Sequence, residues 1–161
     1  MKHFQIFIIL ILYLSTTADE LHDLAAKGDC KFYEVLESIE KCGPNGYLIA
    51  YGLKYCNKFT SNLNSFNEDG QLWVKSVKKC LMAKLIDKKF PTCKSLADYA
   101  FESHVDCYLN PGYEAKSFCD ILFENVHAFT KIYELIDIIK QPFQSLRQIF
   151  TVLFKCISFK T

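Results

Sequence analysis

The residues best suited to chemistry fall in two runs, Tyr51-Gly52-Leu53-Lys54-Tyr55-Cys56 and His104-Val105-Asp106-Cys107-Tyr108. An imidazole beside a carboxylate can activate a water. A glycine-bearing loop can turn its backbone carbonyls onto a calcium ion. Neither requirement is met in full. Cys56 is followed by Asn57-Lys58-Phe59, with no glycine until Gly70. Val105 separates His104 from Asp106 and carries the carboxylate roughly 100° further round a helix. Asn67-Glu68-Asp69-Gly70 holds part of a calcium-loop pattern, but it lacks the alternating ligands and the closing bidentate Glu, so it reads as an inter-helix turn. His22, His104 and His127 form no His-x-x-x-His pair, and no Gly-x-Ser-x-Gly occurs. No catalytic residue, metal site or cofactor site is assigned.

Taken together, the two runs resemble secreted phospholipase A2, which joins a Tyr-Gly-Cys-type calcium loop to a His-Asp-x-Cys-Tyr helix. The departures above remove both the loop and the adjacent His-Asp pair. His104 then reads as a helix residue beside a disulfide. The remaining chemistry lies in eight cysteines: Cys30, Cys42, Cys56, Cys80, Cys93, Cys107, Cys119 and Cys156. There is no Cys-x-x-Cys pair, which argues against zinc. An even number in a small secreted chain reads as four disulfides, and eight cysteines allow 105 pairings.

The context for those disulfides is the N-terminus. Lys2 and His3 precede an apolar run, Phe4–Leu14, and then Ser15-Thr16-Thr17-Ala18. This is the layout of a signal peptide, with cleavage expected after Ala18 and an apolar run too short to span a bilayer. The expected organisation is a signal at 1–18 and a single domain at 19–161, secreted, with no integral membrane segment after cleavage. Without Lys2, 18 basic residues face 18 acidic ones. That balance excludes a nucleic-acid surface and a polybasic membrane patch. No Asn-x-Ser/Thr sequon is present.

Helical periodicity positions these residues. Leu21, Leu24, Phe32, Val35, Leu36 and Ile39 predict a helix over 20–42 with Gly28 as a soft point, ended by Gly43-Pro44-Asn45-Gly46. A second helix is predicted over 47–66 with Ile49, Leu53, Cys56 and Phe59 inward. A third, over 71–88, carries Val74, Val77, Leu81 and Leu85 on one stripe and lysines 75, 78, 79 and 84 on other faces. Thr92 opens a fourth, with Leu96, Ala97, Ala100, Phe101 and His104 as neighbours, ended by Asn110-Pro111-Gly112. A fifth covers 116–139. Pro142 opens a sixth, with Phe143, Leu146, Phe150 and Leu153 in register. The aromatic C-terminus, including Phe150, Phe154, Ile157 and Phe159, reads mostly as core, with a surface for a partner or a lipid as the alternative. The fold class expected is all-α, a disulfide-stapled bundle of about five to six helices.

One stretch carries more than periodicity. Cys56-Asn57-Lys58-Phe59, Phe66, Gly70, Trp73-Val74-Lys75 and Lys79-Cys80 resemble the stanniocalcin family of secreted helical hormones, and Cys93 and Cys107 continue that family's cysteine order. The resemblance covers Cys56–Cys119, with the flanks matching in cysteine placement. It implies the pairs Cys30–Cys56, Cys42–Cys93, Cys80–Cys107 and Cys119–Cys156. Three family features have no counterpart: a further N-terminal disulfide, the cysteine that links a dimer, and the glycosylation sequon. A covalent dimer is therefore not expected, while a non-covalent homodimer through the aromatic C-terminal helices stays open. What the resemblance implies is a secreted, non-enzymatic, hormone-like protein that binds an extracellular receptor or another secreted protein. A role in calcium or phosphate balance is implied by resemblance alone. The competing readings are a venom-type or host-interaction protein on the same scaffold, and a lipid-binding or phospholipase-like protein.

Overall fold

The computed structural model describes residues 6, 17–133 and 143–158. The rest of the apolar leader, the 134–139 end of the expected fifth helix, Pro142 and Phe159 lie outside the described residues. Among those described there are eight α-helical segments and no strand. They are α1 (17–27), α2 (Lys31–Glu40), α3 (Lys54–Ser61), α4 (Glu68–Leu85), α5 (Cys93–Leu109), α6 (Phe118–Ile121), α7 (Val126–Ile132) and α8 (Phe143–Ser158). A π-helical turn, Leu48–Leu53, precedes α3.

The expected first helix is two helices. Gly28, at φ 67°, gives its N–H to Ala25 O while Asp29 gives its own to Leu24 O. These two bonds close the end of α1 in a glycine-dependent motif that stops a helix. Leu21, Leu24, Phe32 and Leu36 are buried, but Ile39 is on the outer side and exposed.

The expected second helix is interrupted in another way. The π turn packs more than four residues into each turn, so Leu48, Gly52 and Cys56 line up inward. Ile49 and Leu53, expected on that face, are only half-buried. Gly52 is required there, because a Cβ at this position would sit 2.6 Å from the Tyr33 ring. The apparent loop glycine is thus a packing contact between α2 and the π turn.

Asn67-Glu68-Asp69-Gly70 starts α4 rather than preceding it. Asn67 Oδ1 accepts from Gly70 N at 2.9 Å, and Glu68 and Asp69 fill the first turn, where acidic groups suit the helix dipole. Thr92 and Ser95 form a reciprocal capping box at the start of α5. The expected helix over 116–139 is broken by a 3-10 turn, Phe123–Asn125, between α6 and α7.

Two apolar clusters form the core. One gathers Leu21, Leu24, Phe32, Leu36, Leu48, Met82, Leu85, Leu96 and Phe101 from α1, α2, the π turn, the end of α4 and α5. The other gathers Tyr55, Phe59, Phe66, Trp73, Val77, Ile121, Phe129 and Ile132 from α3, the start of α4, α6 and α7. Tyr51 packs against both. Helix α8 lies along α5.

The structure contains four disulfides. Cys30–Cys56 joins the start of α2 to α3, and Cys42–Cys93 joins the chain after α2 to the start of α5. Cys80–Cys107 clamps α4 to α5, and Cys119–Cys156 fastens α8 to α6.

Candidate interaction face

The two chemically suggestive runs meet, but not as a hydrolytic site. His104 is buried, and its Nε2 lies 2.9 Å from the Tyr47 hydroxyl. Its ring stacks with Tyr51 at 5.4 Å and with Tyr108 at 5.5 Å. Asp106 lies on the exposed side of α5, where Lys84 donates to it at 2.7 Å. That hydrogen bond holds the Asp106 carboxyl below its usual range. Histidine and aspartate therefore occupy different faces of one helix.

Around His104, the rings of Tyr33, Tyr47, Tyr51, Tyr55, Trp73 and Tyr108 line a cavity of about 30 Å³. That is room for a water molecule and far too little for an acyl chain. Burial raises the pKa of Tyr47 and Tyr108, so both phenols stay protonated hydrogen-bonding groups. Trp73 Nε1 donates to the Tyr108 carbonyl at 3.0 Å, which ties the second core cluster to the end of α5.

Three of the four lysines of α4 are engaged within the molecule. Lys78 donates to Thr60 Oγ1 at 2.7 Å, and burial lowers its pKa. Lys79 lies 5.2 Å over the Tyr113 ring, and Lys84 holds Asp106. Of the four, Lys75 alone is exposed. This face does not present a free basic patch.

One residue with a large structural role went unnoticed in the sequence. Asn125 is buried and accepts from Asn67 N at 2.9 Å. Its amide donates to Asn67 Oδ1 at 3.0 Å and to Ile121 O at 2.8 Å. These bonds lock the start of α4 to the break between α6 and α7. A single asparagine without a capping pattern gives no local signal of such a partner.

The surface that stands out is on α8. Phe150, Phe154 and Ile157 are 69%, 70% and 69% exposed. Their spacing puts them on one face of the helix. Val152 points the other way and is buried. The reading of these three side chains as core is therefore corrected: α8 spends its opposite face on α5 and leaves this one uncovered. Cys156, bonded to Cys119, fixes the helix in place. Beside it, between α5 and α8, runs a groove of about 440 Å³ lined by Lys94, Asp98, Glu102 and Arg147 among others.

The sequence model of the stanniocalcin family matches residues 12–158 of the 161. The chain belongs to the stanniocalcin family. No curated protein and no solved structure matches it. This is a hormone family, and membership supports a hormone-like secreted protein at family level. Among the described residues, no helix is long and apolar enough to cross a membrane.

Proposed function

We propose that the mature chain, 19–161 after cleavage following Ala18, is a non-catalytic extracellular ligand. It docks on a receptor or another secreted protein through the outer face of α8. The observation that carries this reading is the row Phe150, Phe154 and Ile157, about 70% exposed on a helix pinned by a disulfide. Apolar side chains scattered singly need no explanation, but a contiguous row of this size marks an interaction site. Aromatic anchors on a rigid element also lose little entropy on binding.

The rim of this face carries both signs, Arg147 and Lys155 on α8 and Asp98 and Glu102 on the adjoining α5, which suits a partner with a polar, charged border. The small size of the aromatic cavity disfavours lipid carriage.

The test is saturable binding of the labelled mature protein to intact cells of the source organism, with a Phe150→Ala/Phe154→Ala/Ile157→Ala variant beside it. All three side chains are solvated, so the variant is expected to keep its helical circular dichroism and melting temperature. Its affinity is expected to fall at least tenfold, as when one or two hot-spot residues of about 2 kcal/mol each are lost. Equal binding by the two proteins overturns the assignment. A wild-type dimer in light scattering that the variant dissociates would give this face to a second copy instead.

A further inference from the structure

The chain carries two Lys-Lys pairs, Lys78-Lys79 and Lys88-Lys89. They are the same dipeptide in opposite settings. Lys78-Lys79 lies in the middle of α4, half-buried. Lys88-Lys89 lies in the α4–α5 connection, 86–92, with both residues exposed.

The connection is open along its backbone. Its ends are fixed by Ile86 N on Met82 O and by Thr92 N on Ser95 Oγ. Residues 86 and 87 lie in a turn that closes α4, and beyond it no backbone hydrogen bond among the described residues engages 89–91. Asp87, at φ 59°, turns the chain away from the α4 axis. Side-chain contacts hold the segment: His22 Nε2 lies 3.3 Å from Asp87 Oδ2, the Lys88 ammonium 5.0 Å over Tyr99, and Phe90, half-buried against the first core cluster, has its ring 5.8 Å from that of Tyr99. An endoprotease binds its substrate as an extended strand, so a cleavable segment must be free of its own backbone pairing. Exposed loops of this kind are where nicking concentrates. A helix interior is protected, because its ladder must open first.

We propose that the Lys89–Phe90 bond is a processing site for a secretory serine endoprotease that reads paired basic residues. The amide breaks by hydrolysis. The oxygen of water ends in the Lys89 carboxylate, and the Phe90 nitrogen takes up the proton. Cys42–Cys93 and Cys80–Cys107 both cross the cut, while Cys30–Cys56 and Cys119–Cys156 each lie within one fragment. The product is a two-chain molecule, 19–89 and 90–161, that does not come apart. The Thr92–Ser95 cap of α5 lies beyond the scissile bond and is retained. This inference does not depend on the α8 docking face.

The test uses the purified, oxidised mature protein and a recombinant subtilisin-like endoprotease specific for paired basic residues. Gels are run with and without reductant, and the new N-terminus is sequenced. The expected product is one band without reductant and two with it, the second starting at Phe90. Lys88→Gln/Lys89→Gln is expected to be cut at least tenfold more slowly, and Lys79→Gln at the wild-type rate. The reduced and alkylated chain should be cut at both pairs, which verifies the enzyme. The proposal is overturned if the folded protein stays intact while the reduced chain is cut, or if the folded protein is cut after Lys79.

Discussion

Trp73→Ala is expected to destabilise the protein by about 3–5 kcal/mol, the usual cost of deleting a buried tryptophan. Trp73 is 0% exposed and packs against Phe59, Tyr108, Phe118 and Phe129 with ring centroids 5.2–6.1 Å away. Those partners come from α3, α5, α6 and α7, so one side chain joins four helices. Its indole N–H also satisfies the Tyr108 carbonyl, and alanine leaves that acceptor without its donor. The neighbouring rings are held by a disulfide-linked scaffold and can close only part of the cavity. Urea unfolding followed by circular dichroism is the measurement, since the substitution removes the only tryptophan fluorophore. For a chain of this size each kcal/mol corresponds to roughly 2–4 °C, so melting should fall by about 10 °C. A loss under about 1 kcal/mol would contradict the packing described.

Replacing the Cys42–Cys93 bridge, as Cys42→Ser/Cys93→Ser, is expected to cost about 4 kcal/mol. This bridge spans 51 residues, the longest separation of the four. The stabilisation from restricting the unfolded chain grows with the logarithm of the loop, and for this length it is about 4 kcal/mol. The bridge also ties the chain leaving α2 to the first turn of α5, across the first core cluster, where Cys42 packs. Thermal unfolding without reductant checks it: melting should fall by roughly 10 °C with the helical signal retained at low temperature. An unchanged melting temperature would mean that this bridge does not constrain the native pairing of α2 and α5.

Much of the architecture was legible because the helices announce themselves. Val74, Val77 and Leu85 in α4, and Leu96, Ala100 and Phe101 in α5, are buried as their spacing implies. The failures share a cause: the deciding partner is distant in sequence. Gly52 looked like half of a calcium loop, yet the Tyr33 ring determines why a glycine stands there. The break at Asn125 follows from Asn67, 58 residues away. Gly28 did give a local signal, but a soft point and a full stop look alike until the two capping bonds are seen. On α8, periodicity put Phe150 on an apolar stripe, and periodicity alone does not say whether a stripe is covered. The pairing of the cysteines entered through family resemblance, since their spacing leaves 105 arrangements open.

Four bridges bind these helices into one scaffold and hold α8 so that Phe150, Phe154 and Ile157 face outward. Proteolysis of the oxidised mature protein without reductant, followed by mass spectrometry of the linked peptides, tests it most directly. Four linkages are expected, Cys30–Cys56, Cys42–Cys93, Cys80–Cys107 and Cys119–Cys156, with no free thiol. Cys156 found free, or bonded to any cysteine but Cys119, would contradict the placement of α8 and the face built on it.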